Sequence, residues 1–177
     1  FEQTTVGVPQ GGPLSPLLSN IMLNELDKEL ENRGHRFVRY ADDVIILCRS
    51  ERGATRTMGN LLPYIEKKLF LKVSREKSRV TQITKVKFLG YSFYTKKGEG
   101  RLRIHAESVE KMRNRIRILT SRSNGWGNER RKERLKQYIT GWVNYFRLAD
   151  MKVLMTQMDE WYRRRLRMVL WKQWKQS

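Results

Sequence analysis

The sequence predicts an α+β region over residues 1–104 and an all-helical bundle over 105–177. Three observations carry this. Between residues 36 and 104, short apolar runs alternate with turn residues, as strands and hairpins require. From Glu107 onward, apolar residues recur at helical spacing with one Ser/Gly-rich break. The charge shifts along the same line. Residues 1–50 carry five Lys/Arg against seven Asp/Glu, 51–100 twelve against four, and 101–177 twenty against seven.

The elements follow in order. "GVPQGGPLSPLLSN" opens as a rigid Gly/Pro loop, with Ser15 expected to cap a helix and Pro16 in its first turn. Leu17, Leu18, Ile21, Met22, Leu26 and Leu30 form that helix's apolar face, and Gly34 ends it. Residues 36–40 and 44–48 are strands joined by a tight turn at Ala41, Asp42 and Asp43. A helix is expected from Arg52 to Leu69 despite Pro63, then short strands at "LKVS" and "RVTQI". "VKFLGYSFYT" and "GRLRIHA" make a hairpin around "KKGEG", where Gly98 and Gly100 suit the turn. Helices are then expected over 107–122, 129–148 and 151–174. Val109, Met112, Ile116 and Leu119 share a face of the first, and Trp142, Tyr145 and Phe146 a face of the second.

Composition narrows the function. The 177 residues are 39% hydrophobic, enough for one domain with a core plus a helical appendage. A net charge of +19 calls for a polyanionic partner, nucleic acid before an anionic membrane surface. No apolar run approaches the ~20 residues of a bilayer span. Cys48 is the only cysteine, so no internal disulfide forms, and His35 and His105 lie too far apart in sequence for a Cys/His zinc cluster. A cytoplasmic setting is expected, nucleoid-associated in a bacterium or organelle. The chain starts at Phe1 and ends in "LWKQWKQS", and is expected to be part of a longer protein.

"RYADDVIILC" holds the chemistry. Neighbouring side chains of a strand face opposite ways, but at a tight turn Asp42 and Asp43 can reach one spot. Their mutual repulsion, worsened by apolar flanks, is relieved by a divalent cation, and hard oxygen ligands suit Mg²⁺. Such a pair would serve metal-assisted phosphoryl or nucleotidyl transfer. Taken alone, "YADD" fits an ordinary water-facing turn equally well.

The wider pattern decides between them. "GVPQGGPLSPLLSNIMLNELD" with "FVRYADDVII", then "LKVSREKSRV" and "VKFLGYSF", resembles reverse transcriptases, most closely those encoded by group II introns. "YITGWVNYF" and "RRLRMVLWKQWK" resemble that family's maturase-specific, or X/thumb, region. The resemblance runs through nearly the whole chain in the family's order. It implies a partial reverse-transcriptase palm, an antiparallel sheet with helices, followed by a helical thumb truncated at its C-terminus.

The resemblance assigns roles residue by residue. Asp42 and Asp43 match the metal-binding catalytic aspartates, taking Mg²⁺ or Mn²⁺. Lys77 matches a catalytic lysine near the triphosphate that gives a proton to the leaving pyrophosphate. Gln10, Gly11 and Ala41 match nucleotide- and template-lining positions. Tyr40, Phe88, Leu89 and Gly90 match the primer-binding side. Each has a plainer reading: Gln10 bonding its own loop, Tyr40 in a core, Lys77 solvated, Phe88 and Leu89 holding a sheet. Phe70 departs from the family, which often has glycine there, and this puts the turn and the reach of Lys77 in doubt.

The implied partners are intron RNA, an RNA template with its DNA primer, dNTPs, and a DNA target of the whole protein, with no membrane. Arg113, Arg117, Arg163, Arg164, Arg167 and Lys172 are the candidate nucleic-acid-binding cations, set among interleaved aromatics. A third palm aspartate has no matching motif before Gly7, so this stretch alone is expected to bind RNA without polymerising. Glu25, Asp27, Glu29 and Glu31 on the first helix are expected to be solvated, with Asp27 as a cap or salt-bridge partner. The competing functions are an RNA-binding splicing factor that does not use its palm, and another bacterial reverse transcriptase such as a retron type. The oligomeric state is not encoded in any pattern visible here.

Overall fold

The computed structural model describes residues 12–174. Among them are five α-helices and two small antiparallel sheets, an α+β chain. No helix among the described residues is long and apolar enough to cross a membrane. The chain divides into two compact units, Phe1–Thr81 and Gln82–Ser177.

In the first unit, α1 (Ser15–Asn32) begins one residue before Pro16. Leu14 occupies the cap position and Ser15 is already helical, so the expected Ser15 cap is not formed. The far end closes as expected at Gly34. Its φ of +68° lets Gly34 N–H donate to Glu31 O at 2.8 Å and His35 N–H to Leu30 O at 2.9 Å. These two bonds make a Schellman closure. Strands β1 (Arg36–Tyr40) and β2 (Asp43–Leu47) pair in register from Arg36↔Leu47 to Tyr40↔Asp43. Helix α2 (Glu51–Lys67) is capped by Ser50, whose hydroxyl accepts from Gly53 N at 3.1 Å. It tolerates Pro63 on an exposed side.

The core of this unit is Leu26, Leu30, Leu61 and Leu69, with Phe37, Val44 and Ile46 of the hairpin against it. Only the C-terminal half of α1 is buried. Leu17, Leu18, Ile21 and Met22 are 41–59% exposed, contrary to the apolar face expected for the whole helix. The described core partners of this unit reach only as far as Leu23.

The segments "LKVS" and "RVTQI" are not strands. A strand needs a ladder partner, and β1 and β2 pair only with each other. Leu71 instead follows α2 as extended chain, donating N–H to Ile65 O at 3.1 Å and packing on the leucine core. Phe70, in the family's glycine place, keeps a glycine-like backbone: φ is +54° and the side chain is 86% exposed. A left-handed backbone at a residue with a β-carbon carries strain.

In the second unit, β3 (Lys87–Phe88), β4 (Tyr91–Lys96) and β5 (Glu99–Ile104) form a meander. A short 3₁₀ turn, Ile83–Lys85, precedes it. Both connections are two-residue loops. Leu89 and Gly90 have φ of +51° and +82°, Lys97 and Gly98 +51° and +81°. Paired positive φ angles mark the type I′ turn, whose twist matches that of the strands. Gly100, expected in the turn, instead pairs with Thr95 inside β5.

Helices α3 (Ala106–Leu119), α4 (Asn128–Tyr145) and α5 (Lys152–Trp174) complete the unit. Met112, Ile116 and Leu119 are buried as their spacing demands. Ile116 and Met112 pack with Met158 of α5. The sheet joins the helices through Ile104, Phe146 and Ala149, with Tyr91 and Trp142 against them. Asp150 N–H donates to Leu102 O at 2.8 Å, tying the α4–α5 loop to β5.

Two glycines separate backbone strain from steric filling. A β-carbon on Gly90 would sit 3.0 Å from both Phe146 Cζ and Ser108 Oγ, whereas one on Gly98 would meet nothing within 4 Å. Both substitutions to alanine share the left-handed penalty of about 1–2 kcal/mol. Only Gly90→Ala adds overpacking, typically about 1–3 kcal/mol. Urea unfolding should show Gly90→Ala the more destabilised, and equal losses would refute this packing. At Phe70, glycine should raise stability by about 0.5–1 kcal/mol, the left-handed penalty less glycine's own chain-entropy cost. A loss of stability in Phe70→Gly would contradict the turn described here.

Candidate functional site

The loop between β1 and β2 is two residues long. Ala41 takes φ +53°, Asp42 forms the tip, and Asp43 is already the first residue of β2, paired with Tyr40. A left-handed alanine is uncommon and costs free energy, so its neighbours must hold it. The gain is placement. The two carboxylates leave from a loop residue and a strand residue, and both are exposed. Tyr40, 63% exposed, stands beside them in register and is not core.

Many of the described acids are in ion pairs, while Glu31, Glu51, Glu76, Glu133 and Glu160 are not. Glu25 meets Lys28, Glu29 meets Arg33, Glu66 meets Arg75, Glu107 meets Lys87 and Asp159 meets Arg163. Asp42 and Asp43 have neither an ion pair nor a side-chain hydrogen bond to any described residue. Carboxylate oxygens are the ligand type a hard divalent cation takes, and this pair would supply two of them. Among the described residues no group of three or more His, Cys, Asp or Glu side chains is gathered.

Arg39 organises this tip. It follows Phe37 by two along β1, so it faces the same inward side. Its side chain is only 14% exposed. Nε donates to Asp27 Oδ1 at 2.8 Å and Nη2 to Asp27 Oδ2 at 2.6 Å. Nη1 donates to Asn20 Oδ1 at 3.0 Å and to Ala41 O at 2.9 Å. The Asp27 carboxylate holds the guanidinium's proton more firmly than usual. The salt-bridge role expected of Asp27 is thus met. Arg39 itself was not among the expected site residues, although an inward strand position occupied by arginine signals a partner.

The other expected residues lie as follows. Gln10 and Gly11 fall outside the described residues. Lys77 is exposed in a turn at 75–77, and no hydrogen bond or ion pair links it to the aspartates. Leu89 and Gly90 form the β3–β4 turn, preceded by half-buried Phe88. This turn is held from the helices. Gly90 O accepts from His105 N at 2.9 Å and from Ser108 Oγ at 3.0 Å. Leu89 O accepts from the Tyr145 hydroxyl at 3.0 Å. Tyr145 is 56% exposed, yet its ring meets those of Tyr91 and buried Phe146 while its hydroxyl holds the turn.

The basic helices sort their cations. Arg117 is paired with Glu110 at 2.8 Å and lies over the Trp161 ring. Arg113 is 3.9 Å from the same carboxylate, and Arg163 is paired with Asp159 at 2.7 Å. Arg164 and Arg167 are exposed, Lys172 is half-buried, and none of the three has an acidic partner among the described residues. Two further arginines stand out. Arg165 also lies over the Trp161 ring and donates Nε–H to Thr120 Oγ1 at 2.8 Å. Burial loosens its proton, and Arg117 and Arg122 add to this. Arg131 is 4% exposed and bonds only neutral acceptors: Asn128, Asn124 and the Trp126 carbonyl. Within runs such as "RRRLR" and "ERRKER" no pattern distinguishes the inward arginine from its neighbours.

Comparison with known proteins identifies the family. Residues 1–93 match the family model of reverse transcriptase (RNA-dependent DNA polymerase), and residues 109–177 that of the group II intron maturase-specific domain. The chain is similar to protein YkfC of Escherichia coli, 27% identical across 68% of this chain and 42% of that protein. It is also similar to a putative COX1/OXI3 intron 2 protein of Saccharomyces cerevisiae, 24% identical across 84% of this chain and 28% of that protein. The chain spans less than half the length of either relative. The first family model covers more than half of the chain, and the second follows it in order: this chain belongs to the reverse transcriptase family and carries the maturase-specific domain of group II intron proteins.

Proposed function

We propose that the protein copies RNA into DNA, with residues 1–104 as part of the catalytic palm and 105–177 as a helical thumb that holds nucleic acid. One observation carries this reading. Asp42 and Asp43 are adjacent and exposed at a hairpin tip whose Ala41 takes a left-handed backbone, and no described residue pairs with either. A protein that only binds RNA has no use for that arrangement, which favours the enzyme over a splicing factor with an idle palm.

Asp42 and Asp43 would hold Mg²⁺, or Mn²⁺ in its place. An ion held there would supply activation of the primer hydroxyl and offset charge on the dNTP phosphates. Tyr40 offers an exposed ring beside the primer terminus, and Ala41 adds little bulk where the incoming nucleotide pairs. Lys77, with a free ammonium, would give a proton to the leaving pyrophosphate. The Leu89–Gly90 turn would run along the primer strand, and Gln10 with Gly11 would line the template side. Arg113, Arg117, Arg163, Arg164, Arg167 and Lys172 would track phosphates. An RNA–DNA duplex is A-form and is held mainly by backbone and shape, as such a surface permits. Intron RNA is the second polyanion for this surface, in keeping with the maturase-specific match and the intron-encoded relative. The whole protein would also meet a DNA target.

Binding and chemistry should separate. This chain should bind an RNA–DNA duplex, with affinity falling by roughly 0.7–0.9 logarithmic units per logarithmic unit of salt for each phosphate contact. Charge reversal at Arg164 and Arg167, which have no acidic partner among the described residues, should flatten that slope more than reversal at Arg163. Anisotropy titrations at several salt concentrations give the slope. In the protein as its gene encodes it, Asp42→Asn should abolish primer extension and leave duplex affinity unchanged. Normal extension by Asp42→Asn would end the polymerase reading; salt-insensitive binding would end the assignment of the basic surface.

A further inference from the structure

We propose that Arg39 is a positioning residue for the Asp42–Asp43 pair, and that Asp27 keeps its charge occupied so that it cannot neutralise the pair itself. This rests on the metal-binding reading above and extends it to residues that no sequence motif assigned.

The geometry divides the guanidinium into two halves. Nε and Nη2 face both oxygens of Asp27, between 2.6 and 3.0 Å. This forked arrangement is available to arginine and not to lysine. Nη1 is left to hold Ala41 O, with Asn20 Oδ1 as its other acceptor. Ala41 O belongs to the peptide that leads into Asp42, so fixing that carbonyl fixes the plane from which the Asp42 side chain departs. It also holds Ala41 at φ +53°, a conformation the free chain avoids.

The charge argument is separate. Arg39 sits two residues before Ala41 and three before Asp42. If its guanidinium were free, the nearest unpaired carboxylates in sequence would be Asp42 and Asp43, and the arginine would compete with a cation for them. A full bidentate partner on α1 removes that competition. The result is a tip whose backbone is held by a cation while its carboxylates remain available to another.

The test uses this chain, labelled with ¹⁵N, titrated with Mn²⁺, and followed by paramagnetic broadening of the Asp42, Asp43 and Val44 amides. Thermal melting is measured in parallel. The wild type should show saturable broadening at these amides. Arg39→Lys keeps the charge but cannot hold Asp27 and Ala41 O together, and Asp27→Asn frees the arginine. Both should raise the Mn²⁺ midpoint about tenfold or more, the usual effect of losing an outer-shell partner. If either variant fails to fold, Asn20→Ala, at an exposed position beside the same Nη1, takes its place, and its midpoint should also rise. Unchanged midpoints in variants that melt like the wild type would overturn the positioning role. Absence of any saturable broadening in the wild type would overturn the metal reading, and this inference with it.

Discussion

The first unit depends on one hydrogen-bonded fork. Arg39 joins helix α1, strand β1 and the loop before β2 through a single planar group. The leucine core beneath, Leu26 and Leu30 against Leu61 and Leu69, brings α1 close enough for Asp27 to reach it. The hairpin register then sets where the loop falls: with Phe37 opposite Ile46 on the core side, Arg39 must turn inward and Tyr40 outward. The exposed aspartates are a consequence of this chain of constraints, not an isolated motif.

The second unit solves a similar problem differently. Its β3–β4 turn has glycine at the tighter position, and its carbonyls are held by Ser108, His105 N–H and Tyr145 from the helical side. Here the backbone strain is slight at Gly90, but the space is closed by Phe146. The β3–β4 hairpin therefore packs with the helices that follow it. The packing boundary, after Thr81, lies apart from the interval between residues 93 and 109 where the two family models meet. A segment matched to the first family is built into the core of the second.

Much of this was legible in the sequence, and what was not has physical causes. The β1–β2 hairpin followed from apolar alternation and a turn too short to admit another register. Gly34 marked a helix end because the backbone geometry it permits is local. "LKVS" has strand-like residues, but strand formation depends on a partner, which local patterning does not supply. Leu17 and Ile21 have the spacing of a core face, yet spacing cannot show which half of a helix meets a neighbour. Arg39 and Asp27 lie twelve residues apart and meet only once α1 and β1 are packed. Among the many arginines of α3 to α5, Arg165 meets Thr120, 45 residues away in sequence, a contact that local patterning does not show.

The central claim is that the hairpin tip is a cation site made by Asp42 and Asp43. Its most direct measurement is anomalous diffraction from crystals of the protein soaked in Mn²⁺. The account predicts an anomalous peak bonded by the Asp42 and Asp43 carboxylates, with Asp27 still held by Arg39. A peak on Asp27, or well-ordered Asp42 and Asp43 side chains with no peak between them at saturating Mn²⁺, would contradict it.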